Sequence, residues 1–216
     1  MRIDRDFPLE LGSLVGCGVV TGIGSVINSA QVEPGASVAV IGCGGVGLAA
    51  IQGARLAGAD PIIAVDRIAS KLDLARGNGA SEVVDAAATD AVAAVRELTD
   101  GRGADYAFEV VGRSDTIRQA YDMTRRAGTV TIVGAGSFED PVAFGAMQLM
   151  VEAKTIRGCV YGHTDPARDF PEMVRLHQAG RIDLAALVTR RIGLDDVNDA
   201  FRAMQAGEVA RSVIVF

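Results

Sequence analysis

The run Gly42-Cys43-Gly44-Gly45-Val46-Gly47 has the glycine spacing that lets a backbone turn sharply and present its amides to a phosphate. Gly42 permits the tight turn, Gly44 lets the backbone approach a pyrophosphate, and Gly47 lets the following helix lie close on the preceding strand. An apolar stretch at 37–41 precedes the run, a helical pattern follows it, and Asp66 ends a second apolar stretch at the expected distance. Glycine spacing alone is a weak signal. Strand, turn, helix and acid together predict a dinucleotide-binding unit with the phosphates at a helix N-terminus.

The elements that must hold this turn follow from the alternation of short apolar runs with helical patterns, the mark of a parallel sheet covered on both faces. Strands are expected at 37–41, 61–66, 82–85, 104–111, 129–133 and from Thr155 to Tyr161. Six strands suit a doubly wound α/β sheet of the Rossmann type. The helix after the glycine turn carries Val46, Ala50, Gly53, Ala54 and Ala57 on one stripe, small enough for close packing on the sheet. Amphipathic helices are expected at 71–76, at 90–98 and after Ser114-Asp115.

Two flanks adjoin this central unit, giving a division into 1–36, 37–161 and 162–216. The first holds the distinctive stretch Gly16-Cys17-Gly18-Val19-Val20-Thr21-Gly22-Ile23-Gly24. The last carries a helix near 171–177, another with Val197, Ala200, Phe201 and Met204 on one face, and a terminal strand at 212–216. Nothing in the central unit supplies a partner for that strand, which implies a missing surface or an edge prone to association.

A chain of 216 residues, half of them apolar, can bury a full core without metal or disulfides. Its net charge of -6 comes from interspersed acids and bases, which argues against nucleic acid or an anionic membrane as partner. Three cysteines without a CxxC pair suit a reducing, cytoplasmic setting. The charged N-terminus does not read as a signal peptide, and no apolar run is expected to approach membrane-spanning length.

The ordered set Gly16-Cys17-Gly18 with Thr21-Gly22 and Gly24, Gly42 to Gly47, Asp66 with Lys71, residues 108–113, Val133-Gly134 and Arg211 resembles the medium-chain, zinc-dependent alcohol dehydrogenases, including their thiol-adduct branch. The resemblance covers essentially the whole chain. It implies NAD as cofactor, bound by Gly42, Gly44, Gly45, Val46 and Gly47. Asp66 would accept the adenosine ribose hydroxyls, Lys71 would reach the same ribose, and the neighbouring Arg67 would soften discrimination against the 2′-phosphate of NADP. Val111, Gly134 and Ala135 resemble residues lining the cofactor pockets, Arg113 one beside the adenine, and Arg211 one near the pyrophosphate. Cys159 and Tyr161 resemble backbone contacts to the nicotinamide carboxamide. Thr21 resembles a catalytic-site residue packed against the nicotinamide, and Cys17 a ligand of the catalytic zinc.

The same resemblance implies a small alcohol or aldehyde as substrate and a homodimer formed through the strand from Thr155 to Tyr161. It also shows what is incomplete. The family holds its other zinc ligands and most of its substrate pocket in an N-terminal domain that precedes the stretch matched here. His163 and His177 lie far from the expected ligand positions and read as surface or packing residues. The leading expectation is therefore the cofactor half of an NAD-dependent oxidoreductase working at the alcohol or thiol-hemiacetal level. A zinc-free, NADPH-dependent quinone reductase, a methyltransferase and a non-catalytic NAD-binding module are the alternatives. Cys17 and Asp66 argue against the first, and Gly47 with the later motifs against the second.

Overall fold

A computed structural model describes residues 4–216. The core is a six-stranded parallel sheet in which β1 (Val38–Ile41), β2 (Ile62–Asp66), β3 (Glu82–Asp85), β4 (Ala104–Glu109), β5 (Thr124–Ile132) and β6 (Thr155–Gly158) are ordered 3-2-1-4-5-6. That is the doubly wound order, with the chain reversing direction across the sheet between β1 and β4. β1 is buried along its whole length. Its alternate residues feed two cores, Val38 and Val40 into one and Ala39 and Ile41 into the other.

The larger core lies between the sheet and four helices: α1 (Leu9–Ala30), α2 (Gly45–Ala57), α3 (Ala69–Asn78) and, after the helices of the other face, α7 (Pro166–Gln178). The second core is covered by α4 (Ala91–Glu97) and α5 (Ser114–Met123), with Val95, Tyr121 and Met123 buried beneath them. Helix α6 (Ala146–Glu152) flanks the β5–β6 edge, and α8 (Val197–Gln205) lies in the C-terminal segment. Asp90 caps α4 by accepting from the amides of Val92 and Ala93.

Helix α1 alternates ordinary turns with π-turns at Val15–Val19 and Ser25–Ala30. It is long and apolar enough, by length and composition, to cross a membrane, contrary to the sequence expectation. Glycines at 16, 18, 22 and 24 hide it in the sequence, because they read as turns. Gly18, Gly22 and Gly24 serve instead as contact surface. A Cβ on Gly22 would collide with the Val46 carbonyl, and one on Gly53 would meet the Ile23 Cα at 3.0 Å. The small stripe of α2 is therefore shared between the sheet and α1. Val15, Val19, Val20, Ile23 and Val26 bury α1 in the same core as β1.

The sequence reading is corrected at several strands, and β4 ends at Glu109 rather than at 111. β5 begins at Thr124 with a register shift against β4, because the chain turns at Ala127, whose φ is +56°. β6 stops at Gly158, short of Tyr161, because residues 161–163 leave the strand region. The terminal strand does have a partner: β8 (Ser212–Ile214) pairs in parallel with β7 (Arg190–Ile192), a strand hidden in the sequence by its two arginines. This segment docks through Gln52, which is 1% exposed. Its amide donates to Asn78 Oδ1 (2.6 Å) and to the Asp183 carbonyl (2.8 Å), and accepts from the Asp183 amide (2.7 Å). His177 is likewise a packing residue, edge-on to Phe7 at 5.9 Å.

Candidate dinucleotide site

The glycine turn sits at the carboxyl end of β1. Gly42 has φ +95°, a conformation that glycine adopts without steric cost. A Cβ on Gly47 would run into the Gly42 carbonyl, so the close approach of α2 to the strand requires glycine there. A Cβ on Gly44, by contrast, would meet nothing within 4 Å, which leaves open space over the turn. The first helical bond runs from Leu48 N to Gly44 O (2.8 Å). The amides of Gly45, Val46 and Gly47 are then the unspent donors of the first turn, at the positive end of the helix dipole.

Asp66 ends β2 beside them. One carboxylate oxygen accepts from the amides of Arg67 (2.7 Å) and Ile68 (3.0 Å), and the other from the amide of Cys43 (2.7 Å). The acid thus ties the glycine turn to β2 and keeps lone pairs for a further donor. Arg67 is exposed. The Cys43 thiol is fully buried with its sulfur on the Val65 carbonyl, and burial pushes its pKa strongly upward, so it is no nucleophile.

Arg211 reaches the turn from just before β8. A Cβ on Gly45 would lie 2.9 Å from its Nε, and one on Gly18 would collide with its Nη2. The guanidinium therefore lies across two glycines, one from α1 and one from the glycine turn. It makes no ion pair among the described residues. A cavity of about 480 Å³ opens here, lined by Gly44, Gly45, Val46, Gly47, Lys71 and Arg211 together with apolar residues including Ile192, Phe201, Met204 and Ile214. The apolar wall is one that sequence reasoning did not assign to the site. Its signal was the stripe on α8.

The remaining expected residues divide. Val111 is exposed and stands against the turn, its Cγ2 2.7 Å from where a Gly42 Cβ would be. Gly134 and Ala135 pack on the Gly112 backbone beside it. Arg113 is paired with Asp115 (3.0 Å) and is largely exposed. Thr21 is half-buried on α1, and Cys17 is exposed within a π-turn of the same helix. Glu109, given no role of its own in the sequence reading, is fully buried at the end of β4. Its Oε1 accepts from Val111 N (2.9 Å), Gly112 N (2.8 Å) and Thr116 Oγ1 (2.7 Å), fixing the turn that carries Val111.

Among the described residues no group of three His, Cys, Asp or Glu is placed to hold a metal ion. Cys17 offers one ligand, and zinc does not fit this chain's residues alone. A dinucleotide does fit, with free amides, an unpaired guanidinium and open space over the turn.

Residues 45–179 match the family model described as zinc-binding dehydrogenase. The chain belongs to the zinc-binding dehydrogenase family. It is 38% identical to geraniol dehydrogenase of Castellaniella defragrans over 217 residues, covering 100% of this chain and 58% of that protein. The benzyl alcohol dehydrogenase structure from Acinetobacter calcoaceticus superposes with a TM-score of 0.94 at 36% identity, covering 99% of this chain and 59% of that one. A protein from Sinorhizobium meliloti 1021 described as a zinc-binding dehydrogenase, crystallised with NADP, superposes at 0.89 with 25% identity, covering 100% and 62%. The chain therefore spans somewhat more than half the length of the relatives it matches, and corresponds to the C-terminal half of zinc-dependent alcohol dehydrogenases.

Proposed function

We propose that this chain is the NAD-binding portion of an oxidoreductase acting between alcohols and aldehydes, or at the thiol-hemiacetal level. The observation that carries the proposal is the convergence, on one cavity, of the free first-turn amides of α2, the unpaired Arg211 and the side of the turn that Asp66 secures. Amides and guanidinium supply donors for a pyrophosphate. Asp66 and Lys71 would meet the adenosine ribose, and the negative charge of Asp66 favours NAD over NADP. Val111, Gly134 and Ala135 would line the cleft farther along, with Arg113 at its adenine end and Thr21 on the nicotinamide side. The chemistry a bound nicotinamide supplies is acceptance of hydride from an alcohol carbon. Cys17 would be one ligand of a zinc completed by residues outside the described set. We also propose pairing of two copies through β6, one of the two edge strands of the sheet, where Ile156 is exposed. The segments 1–36 and 162–216 would then flank the cofactor unit and face the rest of a catalytic domain, in a cytoplasmic protein.

A second reading, an NAD-binding module without turnover, is favoured by the single metal ligand. Titration of the purified chain with NADH and NADPH, read by nicotinamide fluorescence in a protein without tryptophan, tests the first claim. Saturable binding with NADH preferred is expected, and no binding of either would reject it. Adding zinc and an alcohol to the NAD-loaded chain separates the readings. The chain alone is expected to give no NADH, and robust NADH formation would overturn the view that its metal site is incomplete.

A further inference from the structure

After β6 the chain makes a turn, Tyr161–His163, in which three successive residues have positive φ, at +55°, +66° and +47°. Two of them are not glycine, and such a conformation persists only where the surroundings over-determine it. The turn leaves the carboxyl end of the sheet, on the half formed by β4 to β6. That half accommodates the mononucleotide remote from the β2 acid.

What holds the turn is α1. Gly162 lies backbone-to-backbone on it, with no room for a side chain between it and the Val20 carbonyl. Tyr161 Oη donates to the Gly16 carbonyl at 2.5 Å, and Thr164 Oγ1 donates to the Val20 carbonyl at 3.4 Å. The Gly162 carbonyl accepts from Asn28 Nδ2 at 3.3 Å. Asn28 is itself fixed, because the same nitrogen donates to Asp169 Oδ2 at 3.3 Å. Asp169 is buried, and accepts from the Asp165 amide (2.9 Å) and from Arg168. A chain of polar contacts thus runs from α7 through Asn28 to the one carbonyl in the middle of the left-handed turn.

We propose that Asn28 is a positioning residue for the nicotinamide end of the cleft, holding the Tyr161–His163 backbone in its left-handed form by fixing the Gly162 carbonyl. The proposal rests on the dinucleotide reading above. It assigns a role to the face of α1 turned away from the glycine turn, and makes Asp169 the anchor of that role. Removing the amide frees the turn to relax toward ordinary backbone angles, which costs the ligand half that touches it and spares the other half.

The test compares NADH with ADP-ribose, which keeps both phosphates and both riboses but lacks the nicotinamide. Binding of each to the full chain is measured by calorimetry for wild type, Asn28→Ala and Tyr161→Phe. Asn28→Ala is expected to weaken NADH roughly threefold to tenfold, the range of one or two lost hydrogen bonds, with ADP-ribose held within about twofold. Tyr161→Phe, which removes one hydroxyl and leaves the fold intact, is expected to show a smaller loss of the same kind. Equal losses for both ligands, or none for either, in both variants would overturn the proposal. Wild-type chain that binds neither ligand would reject the dinucleotide reading itself. Wild-type chain that binds ADP-ribose as tightly as NADH would leave the cleft intact and reject the nicotinamide-end role.

Discussion

The two ends of the sheet use their polar groups in opposite ways. At the amino end, Asp105 Oδ2 accepts from both the amide (2.8 Å) and the hydroxyl (2.7 Å) of Ser37, Ser37 Oγ accepts from the Asp105 amide (2.9 Å), and Arg125 Nε donates to Asp105 Oδ1 (2.5 Å). The acid is matched by a base and by hydrogen bonds within the protein. At the carboxyl end, three helix amides and the Arg211 guanidinium have no protein partners among the described residues. Satisfied groups lock β1, β4 and β5 together, whereas unspent donors are what a ligand can use. The contrast supports the carboxyl end as the ligand-binding end proposed above.

Breaking the carboxyl end should cost binding and spare the fold. Arg211→Ala removes a charged donor to an anionic ligand, so NADH affinity should fall by about 1.5 to 3 kcal/mol, roughly 10- to 150-fold, with little change in melting temperature. Gly18→Ala pushes the guanidinium off its two-glycine seat and should give a smaller loss. Adding it to Arg211→Ala should cost nothing more, since both act through one group. A full additive loss in the double variant would show that Gly18 acts elsewhere.

Breaking the amino end should do the reverse. Asp105→Ala strands the Ser37 amide and leaves Arg125 without its acid, and should cost about 1 to 2 kcal/mol of unfolding free energy. NADH affinity of the folded chain should be unchanged. Denaturant unfolding followed by calorimetry on the same preparations separates the two, and a variant that loses affinity as well would collapse the distinction between the ends.

Asp66 joins the two kinds of behaviour, because its carboxylate ties the Cys43 amide and keeps lone pairs for a further donor beside the glycine turn. Asp66→Asn keeps the shape but turns an amide nitrogen toward one of the backbone donors. Loss of that tie should weaken NADH and NADPH alike, whereas loss of the negative charge favours NADPH alone. The ratio of the two affinities therefore isolates the charge, and should shift toward NADPH by roughly fivefold. An unchanged ratio would mean that Asp66 serves only the turn.

How much of this was legible in the sequence depends on whether a residue's job is local. Gly42, Gly47 and Asp66 act through their own strand, turn and helix, so spacing revealed them, and the six strands followed from the alternation of apolar runs. Helix α1 was not legible. The glycines at 18, 22 and 24 are there for contact with Arg211, Val46 and Gly162, partners far away in sequence, and together with Gly16 they locally resemble a loop. β7 was masked by Arg190 and Arg191, both exposed, with Ile192 alone carrying the burial. Asn28 gave no signal, and Glu109 was noticed only as part of the run 108–113 with no role of its own, since a lone amide and a lone acid acquire meaning only from the backbone groups that the fold brings to them.

The smallest expected effect is one of pH, and it sharpens the comparison from the amino end. Burial raises the pKa of Asp105, but hydrogen bonds from Arg125 and Ser37, with the nearby Arg125 charge, outweigh it and hold the acid below its ordinary value of 3.8. A depressed folded value means that the stabilisation is fully present above 3.8 and is lost as pH falls through the lower folded value. Tyr106 stands close by and is neutral throughout that range, its ordinary value being 10.0 and burial raising it further. Wild type should therefore lose stability on acidification below 3.8 more steeply than Asp105→Asn, which has no proton to gain at that position. Asp169 is also held low, first by its hydrogen bond from Arg168, and contributes equally to both proteins, so the difference between the two pH profiles belongs to Asp105 alone. Identical acid limbs would mean that Asp105 and Arg125 are held together by packing rather than by charge.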